Sequence, residues 1–98
     1  MKTAELTGTA LNNAVMSCEG LSKRLFGDIN YSGDWNYGGP IIERERISLE
    51  YYAGKNEWLA TRAEGPAVFE QWGHSPLIAA MRCYVTASWC WRFEHDIQ

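Results

Sequence analysis

At 98 residues the chain has enough apolar surface for one core, so residues 1–98 read as a single domain, small enough for dimerisation to add to its stability. A content of 46% hydrophobic and 13% aromatic residues argues against disorder. A net charge of -3, carried by interspersed acids and bases, argues against both a phosphate-gripping basic face and the dense carboxylate field of a nucleic-acid mimic.

The first predicted element follows Thr7. Leu11, Ala14, Val15 and Cys18 recur at three- and four-residue steps, which places them on one face of a helix that Thr7 caps and Gly20 ends. The next stretch, LSKRLFGDINYSGDWNYGG, has no sustained period and collects glycine, asparagine and aspartate, so it reads as a long loop. At its end the Gly38-Gly39-Pro40 corner allows a tight backbone path that proline stiffens, delivering Ile41 and Ile42 to the core. A phosphate cradle there lacks the N–H of Pro40 and any following Lys and Ser/Thr. Glu43, Arg44, Glu45 and Arg46 are read as strand residues alternating between faces, for solvent and partner contacts rather than acid–base chemistry.

The period then changes to two. Ile47, Leu49 and Tyr51 share one face of a strand, and Ser48, Glu50 and Tyr52 the other. Ala53-Gly54-Lys55-Asn56 supplies a turn, Glu57 to Ala63 a second strand, Glu64-Gly65-Pro66 another break, and AVFEQW a third strand whose inward face the pattern leaves open. Ser75-Pro76 marks the start of a last helix, with a hydroxyl cap and a proline in the first turn. Leu77, Met81, Tyr84 and Ser88 form one stripe of that helix, and Ala79, Cys83, Ala87 and Cys90 an adjacent strip of small residues. The expectation is that the large side chains pack on the sheet while the small strip admits the first helix; the alternative is that the strip meets a second subunit or a partner.

The predicted fold is therefore α+β: N-terminal helix, long loop, three-stranded antiparallel meander, C-terminal helix. A double-stranded-RNA-binding domain has the same order, but it holds phosphates with basic residues at the start of its final helix, and GHSPLIAAMR has no lysine there. Direct nucleic-acid binding is thus not expected. The apolar run from Pro76 to Trp91 contains Arg82, Thr86 and Ser88, so no membrane span is expected either.

The candidates for chemistry are few. His74 near the last helix, and Cys83, Cys90 and His95 with their two-turn cysteine spacing, match no nucleophilic or zinc signature, so the chain is read as no enzyme, with no metal and no cofactor. Three cysteines without a CxxC pair, and an N-terminus carrying Glu5, Asn12 and Asn13 where an export signal would be apolar, make the cytoplasm the expected compartment. Arg82 is expected either to carry its head to water or to pair with a carboxylate at the edge of the core. Trp89, Trp91 and Phe93 crowd the chain end, where a lone domain has difficulty hiding them.

The blocks MKTAELTGTAL, DWNYGGPIIERE and HSPLIAAMRCYV together closely resemble the NinX-like family of small lambdoid phage and prophage proteins, over most of the chain up to about Ala87. The strings GGPIIERE and PLIAAMRCYV are long and specific. The resemblance implies a phage accessory protein made in the bacterial host's cytoplasm, and supplies no catalytic residue. The expected function is binding of a host protein or complex, such as a defence complex that it inhibits, with a homodimer as a further option. Partner contacts are expected from Trp35, Tyr37, Glu43, Arg44, Arg82, Trp89, Trp91 and Phe93. The alternative function is binding of a small ligand or nucleotide at the Trp35–Pro40 loop.

Overall fold

The last helix is apolar on every side, and a helix of that kind has to be surrounded. In the computed structural model, which describes residues 5–88, it is. The elements in chain order are α1 (Gly8–Cys18), α2 (Lys23–Phe26), α3 (Trp35–Glu45), β1 (Ser48–Tyr52), β2 (Glu57–Glu64), β3 (Ala67–Gly73) and α4 (Pro76–Ala87). The three strands form an antiparallel sheet in the order β1-β2-β3. One side of α4 lies on the sheet, while α1 and α3 pack against α4, giving an α+β fold with α4 as its middle layer.

Alternation assigns the faces of the sheet. Leu49, Ala60 and Gln71 stand opposite one another across the strands; Ala60 is fully buried, and Gln71 Nε2 donates to Thr86 Oγ1 at 3.1 Å, so this row faces α4. Their neighbours Glu50, Leu59 and Trp72 face away. At Gly73 the helix comes so close that an added Cβ would lie 2.6 Å from the Ala79 nitrogen.

The two strips of α4 are used the opposite way from the expectation. Ala79 meets β3 at Gly73, and Cys83 Sγ donates to the Phe69 carbonyl at 3.4 Å, so the small residues lie on the sheet. The large side chains reach the other helices: Leu77 abuts Gly38 of α3, and the Tyr84 hydroxyl bonds to Glu19 just after α1. A sheet backbone admits a helix closely only past small side chains, whereas Leu77 finds room against α3 because Gly38 carries no Cβ there.

The predicted long loop is the main correction. It contains the short α2, and its end, with Glu43–Glu45 of the expected strand lead-in, forms the eleven-residue helix α3, which Arg46 terminates. Asp34 caps α3, its Oδ1 accepting from the Asn36 N–H at 2.9 Å. Gly39 eases the passage of the helix into Pro40, because the proline ring crowds both the N–H and the Cβ of the residue before it, and glycine has no Cβ. Gly38 serves packing: a Cβ there would lie 2.6 Å from the Tyr31 carbonyl oxygen and 2.5 Å from Leu77 Cδ2. The helix ends in a Schellman motif, with Ile47 N–H on the Ile42 carbonyl at 3.1 Å and Arg46 N–H on that of Glu43 at 3.3 Å. Arg46 accordingly takes a left-handed conformation, φ 55°. Ile41 reaches the core as expected and Ile42 packs against it half-buried, while Ile47, just past the helix, is buried as well.

Candidate interaction surface

The predicted contact residues separate once α3 is a helix. Trp35 and Tyr37, on its first turn, remain 53% and 48% exposed. The ring of Tyr37 meets buried Tyr31 edge to face, with centroids 6.3 Å apart, so its base is packed while its rim is free. Glu43 is exposed on the same helix. The glycine corner offers no open backbone amides for an anion: Gly38 N–H is bound to the Asp34 carbonyl at 3.0 Å. The ligand loop imagined over Trp35–Pro40 is therefore part of a helix.

Arg44 is already occupied. Its Nη1 and Nη2 donate to Glu19 at 3.1 and 2.7 Å, Nε donates to Glu45 at 2.8 Å, and the guanidinium lies 5.6 Å from the centre of the Tyr84 ring. Glu45 extends the chain of charges to Arg62 at 3.1 Å, which pairs with Glu64 at 2.8 Å. Burial alone would raise the carboxyl pKa of Glu19, but the hydrogen bonds from Arg44 and Tyr84 outweigh it and hold the pKa below its usual value. The Tyr84 hydroxyl is pushed upward, chiefly by burial and then by Glu19. This network ties α1, α3, β2 and α4 together.

Arg82 does neither of the two things expected of it. It is buried, and its Nε and Nη1 donate to the carbonyls of Leu6 at 2.9 Å and Trp72 at 2.6 Å, joining the N-terminal segment and β3 to α4. Desolvation pushes its pKa down. Trp89, Trp91 and Phe93 lie outside the described residues.

Two exposed apolar sets escaped the sequence reading. Leu25 and Phe26 of α2 are 80% and 56% exposed. On the outer face of the sheet, Val68 and Tyr52 are exposed, and Lys55 Nζ sits 4.1 Å from the centre of the Trp72 ring. The second set was latent in the strand alternation, but no inward face had been assigned to β3. The first had no signal beyond two apolar residues in a polar stretch.

Among the described residues no three His, Cys, Asp or Glu side chains gather as metal ligands. His74 lies 3.9 Å from Glu57, and burial pushes the Cys83 thiol up to about 12. A hollow of about 350 Å³ beside Gly8, Asn12 and Asn13 has its Asn12 amide engaged: Nδ2 donates to Asn30 at 3.1 Å and Oδ1 accepts from Ser32 N–H at 2.8 Å. Among the described residues no helix is long and apolar enough to cross a membrane.

The family described as bacteriophage P22 NinX matches residues 25–88, from the second half of α2 through the whole of α4. The chain belongs to this family. It is thus a phage-encoded accessory protein, as its sequence blocks implied. No curated protein matches it. The NinX match takes in both exposed apolar sets and all of α3, while α1 lies before it.

Proposed function

We propose that this NinX-family chain acts by binding a protein of the bacterial host in the cytoplasm, a component of a defence complex being the intended kind of target, and that it performs no bond chemistry and needs no cofactor. The observation that carries the reading is the exposure of Trp35 and Tyr37 on a helix that is capped by Asp34, packed at Gly38 and tied down through Arg44. Rigid, amphipathic aromatics lose little side-chain freedom on binding, and such residues dominate protein interfaces. Leu25 and Phe26 add apolar surface in the preceding segment.

Nucleotide binding at Trp35–Pro40 is the weaker reading, because the backbone amides it would use are engaged in the helix. The test is quantitative co-purification from host lysate with the wild type and a Trp35→Ser/Tyr37→Ser double variant, with the melting temperature and solution mass measured alongside. The double variant should fold and lose the captured protein. Equal capture by both proteins would move the interface elsewhere. A homodimer that disappears in the variant would make a second copy the partner at this surface.

A further inference from the structure

The side of the sheet turned away from α4 has no helix on it among the described residues. Glu50, Tyr52, Leu59, Val68, Glu70 and Trp72 all belong to that side by the strand register. Tyr52 and Trp72 meet edge to face there, with centroids 4.9 Å apart. The Tyr52 hydroxyl donates to Glu50 at 3.3 Å, and the charges of Glu50 and Glu70 both act on it. Over the Trp72 ring lies an ammonium group, that of Lys55 on the β1–β2 turn, 4.1 Å from the centroid. An aromatic face attracts a cation within about 6 Å, and nearby carboxylates add to the attraction.

We propose that the outer face of the sheet docks a basic segment of a partner protein, one Lys or Arg of which takes the place over Trp72 that Lys55 fills in the free chain. Charge complementarity selects this occupant. Open sheet aromatics also stack nucleic-acid bases, but phosphates beside Glu50 and Glu70 would be repelled. An apolar partner would strip water from the same carboxylates without pairing them. The surface is distinct from the α3 rim, and the inference stands whether or not Trp35 and Tyr37 bind.

The experiment is a nuclear magnetic resonance titration of the full-length chain with a short arginine–glycine peptide, following the Trp72 indole N–H and the Tyr52 ring. Both signals should move, and Lys55→Ala, which removes the internal competitor, should tighten binding about two- to five-fold. Glu50→Gln with Glu70→Gln should weaken it about five-fold. Lys23→Ala changes the net charge equally on α2, where Lys23 pairs with Asp28, and should leave affinity within about two-fold. An equal gain from Lys23→Ala and Lys55→Ala, or peptide shifts confined to other surfaces, would reduce the effect to bulk charge and overturn the proposal. So would binding of a thymidine oligonucleotide at these rings. Concentration-dependent shifts of the rings, or nuclear Overhauser contacts between Trp72 and residues 89–98, would give the face to a second copy or to the chain's own end, and would overturn it equally.

Discussion

The neighbouring glycines of α3 should respond oppositely to the same substitution. Neither Gly38 nor Gly39 has a positive φ, so alanine is conformationally acceptable at both, and only packing distinguishes them. At Gly38 the new methyl would stand 2.6 Å from the Tyr31 carbonyl oxygen and 2.5 Å from Leu77 Cδ2. The leucine end can turn aside, but the carbonyl belongs to a buried backbone, so α3 has to shift away from the core. Overpacking of this kind costs about 1–3 kcal/mol, against a gain of about 0.5–1 kcal/mol for replacing a mid-helix glycine by alanine. Taken at the middle of both ranges, the net expectation for Gly38→Ala is a loss of about 1.3 kcal/mol, lowering the melting midpoint by about 4–8 °C per kcal/mol in a domain of this size. At Gly39 the nearest atom outside its immediate helix surroundings is Trp35 Cε3 at 3.7 Å, an ordinary contact. There the helix gain is opposed only by the Cβ meeting the Pro40 ring, and Gly39→Ala should lie within about 0.5 kcal/mol of wild type. Urea and thermal melts followed by circular dichroism decide the matter. If Gly38→Ala melts with the wild type, or both variants lose the same stability, the close approach of α3 to the Tyr31 backbone is wrong.

The same packing and charges fix three further outcomes. Arg46→Gly should raise stability by about 0.5–1 kcal/mol, seen as a higher urea midpoint, because φ 55° strains any residue with a Cβ. The carboxyl of Glu19 is held below its ordinary pKa, so its contribution is present above the unfolded pKa and is lost as pH falls through the folded one. Urea midpoints taken from about pH 6 down to about pH 3 should fall, and Glu19→Gln should flatten that decline while lowering stability at neutral pH. Cys83, whose thiol is buried and pushed up to about 12, should escape iodoacetamide in the native protein at about pH 8 and react only once unfolded, as peptide mass mapping would show.

The legible parts of the fold were those written in local chemistry. Ser75-Pro76 announced α4, and the Ser75 hydroxyl does accept from the Ile78 N–H at 3.1 Å. The alternation from Ile47 to Tyr52 announced β1, and the turn residues between it and β2 fall where expected. By contrast α3 carries two glycines and a proline in eleven residues, a composition that local propensity counts against a helix. Its Asp34 cap, the missing Cβ at Gly39 and the crossing at Gly38 hold it, and only the cap leaves a mark in sequence, one shared with many turns. For the candidate surface, Trp35 and Tyr37 are legible in the sequence as contact residues, whereas the Tyr52–Trp72 pair needs the register between β1, β2 and β3.

Taken alone, the amino-acid order determined the class of the fold, the meander and the first and last helices, because caps, periods and turns are set by residues a few positions apart. Tertiary structure decided which strip of α4 meets the sheet, what became of Gly38-Gly39-Pro40, and how Arg44 and Arg82 are employed. Each of those depends on how closely two distant backbones approach and on which polar groups burial leaves in need of a partner, quantities that exist only once the core has formed.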